Sequence, residues 1–318
     1  MLVHTGPPGD PVVGCAGRRA GVSAAEVARW AGVVLRDAGR ELRGRDVSLW
    51  AAGVTFFAAL AVVPLALVAL RGAAFLGSPG FVRHGVSRWA AALPAGHGPG
   101  PVLEALATAA LGTPWTALAV TLLPATFYGE GLLRGLVQVA GQRAGALVGW
   151  RGRLMFVPVL VLSPTLAIAP LATADAVADR YQGGGGPAFW GIALSFHVDW
   201  LIISAVTAIV FAGSAPRGVR RGPLVAGAFA VAAVLAGFFH GFLLFLAIPL
   251  DWSVPFGGLA AVGAVSALLL WLYLLHVLLL LGYRLTLSAE RTRLGATESP
   301  EIDAEAHGPS GHSRSRRR

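Results

Sequence analysis

Charged residues interrupt this chain so rarely that its hydrophobic pattern alone divides it. Uncharged runs cover residues 47–70, 105–129, 154–174, 222–250 and 252–283, each long enough to supply the ~20 apolar residues that an α-helix needs to cross a bilayer. A sixth stretch, about 191–213, is apolar apart from His197 and Asp199. The pattern predicts an all-α, polytopic integral membrane protein. Its six-transmembrane-helix bundle has spans at about 49–70, 111–133, 154–175, 190–213, 223–247 and 257–283.

Outside the spans the pattern changes character. Residues 1–20 carry Pro7, Pro8, Gly9 and Pro11 and read as a disordered tail. Over 22–43 the period becomes helical: Val27, Trp30, Ala31, Val34, Ala38 and Leu42 share one face, and Glu26, Arg29, Arg36, Arg40 and Arg43 the other. This predicts an amphipathic helix within residues 21–46, either lying on the inner leaflet or docked on the cytoplasmic ends of the bundle. The connection at 71–110 holds Phe75, Leu76, Phe81, Val86, Trp89 and Leu93 among Gly and Pro, which suits a segment resting on the outer surface or capping the bundle. Residues 289–318 run from acidic to basic and read as a disordered, charged tail. The transmembrane domain then spans 47–288, without a recognisable internal repeat.

Charge orients the spans. All 25 basic residues are Arg, and 21 of them fall in the N-terminal segment, every second connection and the C-terminal end. Only Arg71, Arg83, Arg88 and Arg180 fall in the alternate connections. Cytoplasmic loops retain Lys and Arg, so both termini are expected in the cytoplasm. With 55% hydrophobic and 13% charged residues, the chain has about half the charge of a soluble domain. The net charge of +9 follows from topology and suits anionic lipid headgroups at the cytoplasmic face, with no call for a nucleic-acid partner. Cys15 is the single cysteine, so no intramolecular disulfide can form, and residues 1–20 lack the continuous apolar core of a signal peptide. Richness in Ala, Gly, Val and Arg without Lys fits a high-GC bacterial coding bias, hence a bacterial plasma (inner) membrane.

Several segments carry a family resemblance. The first span reads Ala51-Ala52-Gly53-Val54-Thr55-Phe56 and runs to Pro64; the fifth opens Gly222-Pro223-Leu224-Val225-Ala226-Gly227-Ala228. The last span contains Phe256-Gly257-Gly258-Leu259, Leu269-Leu270-Trp271-Leu272-Tyr273 and Leu281-Gly282. In this order they resemble the YihY/BrkB family of bacterial inner-membrane proteins, once named as ribonuclease BN, over roughly residues 30–290. Phe256 stands where that family commonly has Tyr, and Tyr283-Arg284 where Ala-Glu is usual. The resemblance implies six helices with both ends inside and brings no settled activity.

Ionisable groups inside spans are the first functional candidates. Spans four and five form a hairpin around the basic segment 214–222. At 1.5 Å per residue, Asp199 and His240 each lie about 25 Å from that turn, so they can face each other. Such a carboxylate–imidazole pair can bind a cation or relay a proton; it can equally be a buried pair that fixes helix register. His197, two residues from Asp199, points to another face. Glu130 and Arg134 form an i,i+4 pair near a cytoplasmic span end, as interfacial snorkelling or as a gate. His276 reads as a hydrogen-bonded core histidine or a ligand. Pro158, Pro164 and Pro170 in span three free carbonyls that can line a pathway.

No metal cluster, P-loop or Gly-x-Ser-x-Gly elbow occurs, so neither an enzyme nor a cofactor is expected. The internal loops offer Arg where a ribonuclease needs carboxylates or histidines. The expected function is transport or efflux of a small solute, ion or lipid. The alternative is a non-transporting scaffold that organises the envelope. Orientation is directly testable: a membrane-impermeant maleimide should label Cys15 only after spheroplasts are permeabilised. In a Cys15→Ser background, Gly186→Cys should be labelled in intact spheroplasts; the reverse accessibility would invert the topology.

Overall fold

The computed structural model describes residues 23–94, 98–248 and 250–306, with side chains as far as Arg293. The expected N-terminal tail at 1–20 lies outside the described residues, as do residues 307–318. The described residues form α1 (Ala24–Leu42), α2 (Val47–Leu76), α3 (Pro79–Ala92), α4 (Pro99–Gly112), α5 (Trp115–Val139), α6 (Val148–Gln182), α7 (Gly185–Ser214), α8 (Arg221–Ala247) and α9 (Ala260–Ala306). Six of these, α2 and α5 to α9, are long and apolar enough to cross a membrane.

Helix ends follow local chemistry. Ser23 and Glu26 form a capping box at the start of α1, each satisfying the other's backbone N–H. Asp46 accepts from the Leu49 N–H at the start of α2, and Ser78 accepts from Phe81 N–H at the start of α3. Two expected boundaries move for similar reasons. The second span starts at Trp115 rather than 111, because α4 ends at Gly112 and extended Pro114 begins a new helix. The sixth starts at Ala260 rather than 257, because Gly257 and Gly258 take φ of +65° and +84°, which no helix accommodates. The disordered tail expected from residue 289 is corrected for its first part: α9 continues to Ala306, and Glu290 is buried.

The six long helices pack in chain order into a ring, α2 to α5, α6, α7, α8, α9 and back to α2, with α2 also packed directly against α6. Where α5 meets α6 the backbones nearly touch. A Cβ on Gly152 would lie 2.5 Å from the Gly129 carbonyl oxygen and 2.7 Å from the Glu130 Cα, so only glycine fits there. The connection between α2 and α5 is a helical hairpin that caps one end of the ring. Val82 and Val86 of α3 and Ala107 and Ala110 of α4 pack with Leu70 and Ala73 of α2 and Leu171 of α6. Trp89 of α3 donates to the Pro170 carbonyl of α6 at 2.8 Å, and Arg88 pairs with Asp175 and Asp179.

At the opposite end α1 packs against α9, with Val34 and Ala38 buried. Asp37 pairs with Arg284 of α9 at 3.3 Å, Glu41 with Arg291 at 3.0 Å, and Arg45 donates to the Gln138 carbonyl of α5. The Ser288 hydroxyl, and after it the Arg284 and Arg291 guanidiniums, hold the Asp37 carboxyl below the usual aspartate range. Arg71, Arg83, Arg88 and Arg180 lie on the α3–α4 side of the ring, and the other described arginines lie toward α1.

The α5–α6 contact gives the sharpest test of this packing. Gly152→Leu should cost about 3 kcal/mol or more in detergent unfolding, since the obstructing atoms are backbone. Gly53→Ala, inside α2 and with nothing within 4 Å of the added carbon, should leave the midpoint undiminished or slightly raised.

Candidate functional site

Within the bundle lies a half-open cavity of about 270 Å³ to which all six long helices contribute. Its walls are mostly aliphatic: Ala61 and Leu65 of α2, Leu132 of α5, Val206 of α7, Leu235 of α8 and Leu279 of α9. Phe156 of α6 closes one side, and polar groups enter through Tyr128, Thr207 and His276.

His276 is 4% exposed and bridges two helices. Its Nδ1 lies 3.1 Å from the Thr55 hydroxyl of α2, and its Nε2 lies 3.0 Å from the Tyr128 hydroxyl of α5. Thr55 already donates to the Ala51 carbonyl at 2.8 Å, so its oxygen is left to accept. His276 Nδ1–H therefore donates to Thr55, and Tyr128 donates to Nε2, which fixes one tautomer of a neutral ring. The hydrogen-bonded core histidine expected from the sequence is present, and it also faces the cavity.

Asp199 and His240 are brought together as the hairpin geometry predicts, with His240 Nε2 3.8 Å from an Asp199 carboxylate oxygen. Their side chains are 25% and 13% exposed, so the pair is largely removed from solvent. His240 Nδ1–H donates to the Ala236 carbonyl at 3.0 Å, and Nε2 lies 3.1 Å from the Ser195 hydroxyl. Tyr181 continues the row, its hydroxyl 2.9 Å from that of Ser195. The Ser195 hydroxyl also donates to the Ile192 carbonyl at 3.1 Å, and a proton on His240 Nε2 makes that edge a donor facing Ser195 and Asp199. Ile203, one turn from Asp199 along α7, and Phe239, beside His240, both line the cavity.

The remaining candidates separate. His197 is exposed on another face of α7, bonded to the Ala193 carbonyl, and joins neither group. Glu130 pairs with Arg134 at 2.8 Å as expected, but the sequence did not disclose its second partner. Arg153 of α6 places two nitrogens on the other carboxylate oxygen at 2.9 and 2.8 Å. None of the three span-three prolines lines the cavity. Pro164 leaves the Leu160 carbonyl without its helical donor, and the Ser163 hydroxyl supplies one at 2.8 Å. Phe156 is the one α6 side chain that lines the cavity.

Among the described residues, no three His, Cys, Asp or Glu side chains gather closely enough to hold a metal ion. Where the family resemblance meets Tyr283-Arg284, both side chains are fully buried. Tyr283 donates to the Ser214 carbonyl at 2.9 Å and Arg284 reaches Asp37, so the departure from Ala-Glu builds contacts between α9 and its neighbours.

The family model for virulence factor BrkB matches residues 38–307, from the C-terminal part of α1 to just past the end of α9. The chain belongs to the virulence factor BrkB family. The match takes in all six long helices, so this BrkB-family chain is a multi-pass membrane protein in which the ring, the α3–α4 cap and the cavity all lie inside the family region. No curated protein and no solved structure gives a significant match to it.

The His276 bridge can be weighed by mutation. Tyr128→Phe leaves Nε2 buried without its donor and should cost about 1–3 kcal/mol in detergent unfolding. Adding His276→Leu to Tyr128→Phe should cost clearly less than the sum of the two single changes. Strict additivity would mean that the two side chains do not interact.

Proposed function

We infer that this BrkB-family protein is a transporter of the bacterial plasma membrane. On this reading it moves a small, largely apolar solute with a hydrogen-bonding group, and it is not an enzyme. The observation that carries the reading is the cavity to which all six spans contribute, aliphatic over most of its wall, with Tyr128, Thr207 and His276 placed to orient a ligand. The arginine asymmetry supports an orientation with the α1 end, and with it both termini, in the cytoplasm.

The row Tyr181, Ser195, His240, Asp199 supports proton coupling. It starts near the α3–α4 end of α6 and reaches the aspartate one turn from the cavity wall. A proton on His240 Nε2 gives the ring a positive charge facing the Asp199 carboxylate. A charge change this close to Ile203 and Phe239 can couple proton movement to the packing of the cavity. Burial of ionisable groups at this depth is costly, which is the general reason that such groups mark transport routes.

Thermal-shift screening of the purified protein against solutes supplies the ligand, and proteoliposomes supply the activity. A bound solute should raise the melting temperature with concentration, by the amount its affinity dictates. Leu235→Trp, which fills the cavity, should abolish both binding and uptake. Asp199→Asn should retain binding yet lose the response of uptake to a pH gradient. Uptake that survives Leu235→Trp would remove the cavity from the route, and a saturable response to lipids alone, equal in all variants, would favour the scaffold.

A further inference from the structure

A second concavity lies outside the ring, between α1, α8 and α9, with a volume of about 650 Å³. Its floor is apolar: Val34 of α1, Ala226, Ala230 and Val234 of α8, and Leu278 and Leu285 of α9. Ala226, Ala230 and Val234 are exposed, so the slot is open along its length and not a packing fault of the core. From Pro223 to Val234 it runs eleven residues along α8, about 16 Å. That is close to the ~15 Å depth of one leaflet of a bilayer with a ~30 Å core.

The mouth of the slot has the opposite character. Arg217, Arg220 and Arg221 lead into the end of α8 that supplies Pro223, and all three are exposed. Among the described residues they make no ion pair. Across the mouth, the Arg293 guanidinium sits 5.7 Å over the Trp30 ring. Glu290 is the one acid in the lining and is 4% exposed, so the arginines set the charge of the mouth. Beyond it, α1 presents Arg29 to solvent one residue from Trp30.

We propose that this slot is a binding site for one anionic phospholipid of the inner leaflet, an acyl chain lying along α8 and α9 and the phosphate held by the arginines at the mouth. The depth matches one leaflet, the opening faces the bilayer, and the charge at the headgroup level is complementary. Trp30 sits where an amphipathic ring belongs, at the boundary between chain and headgroup. The site is separate from the cavity within the ring. It joins α1 to the bundle through lipid as well as through the Asp37–Arg284 and Glu41–Arg291 pairs.

The test uses the full chain in a neutral detergent, titrated with phosphatidylglycerol or phosphatidylcholine of identical acyl chains, with the melting temperature as readout. Phosphatidylglycerol should raise it saturably. Phosphatidylcholine should need at least ~10-fold more lipid for the same shift. Ala230→Trp, which fills the open slot, should abolish the phosphatidylglycerol response. Arg217→Gln, Arg220→Gln and Arg221→Gln together should weaken it by ~10-fold or more without filling the slot. Equal responses to the two lipids, or an unchanged response in Ala230→Trp, would overturn the proposal. Should Ala230→Trp lack a cooperative transition, the triple arginine variant decides alone, and an undiminished response there would overturn it.

Discussion

Hydrocarbon offers no hydrogen-bond partners, and that constraint organises this molecule. A polar group placed in the bundle is best satisfied on the chain itself: small hydroxyls such as Thr55 and Thr286 bond carbonyls of their own helix, and larger groups reach neighbouring helices. Glu130 of α5 is held by Arg134 on its own helix and by Arg153 on α6. His276 of α9 ties α2 to α5 through Thr55 and Tyr128. Tyr283 ties α9 to the end of α7, and Arg284 ties it to α1. These larger polar residues are therefore cross-links between helices, while the aliphatic residues fill the space between them. Even the helix-breaking Pro164 is accommodated locally, because Ser163 covers the carbonyl that it leaves exposed.

Against that background two regions differ. Asp199 and His240 approach only to 3.8 Å and keep part of their surface accessible, so this pair is looser than the bidentate Arg153–Glu130 contact. The cavity beside it is the place where the aliphatic filling is incomplete. A loosely held ionisable pair next to an unfilled space, with contributions from every span, is an arrangement that ligand binding and proton movement can exploit. The α3–α4 hairpin packs at one end of the bundle and α1 at the other, and neither contributes to the cavity lining.

Much of the fold was legible in the chain because the signals are local. Five runs without charge and a sixth broken only by His197 and Asp199 located the six long helices, and the cap was foreshadowed by the apolar content of 71–110. The Asp199–His240 pairing was readable because both residues sit on one hairpin at equal distances from its turn. Ser195 was also within reach, lying four residues before Asp199 on the same face. The His276 bridge was not readable: Thr55 and Tyr128 are single hydroxyls in apolar helices, separated from His276 by 221 and 148 positions. The burial of Arg284 was not readable for a different reason. An arginine at the end of an apolar run reads as a membrane flank, yet α9 continues and α1 covers the side chain completely. The tail after residue 289 was misjudged likewise, since charge along a helix and charge along a coil look alike in composition.

The central claim is that the space within the ring is a solute route and not a packing void, and water access decides it most directly. Thr207 lines the cavity, whereas Ala228 lies in the packed core with no accessible surface. Each can be replaced by cysteine in a Cys15→Ser background and challenged with a small water-soluble thiol reagent in native membranes. Reaction at Thr207→Cys, together with silence at Ala228→Cys, is the result expected of a route. If Thr207→Cys proves as inert as Ala228→Cys from both sides of the membrane, the cavity is closed to solutes and the account fails.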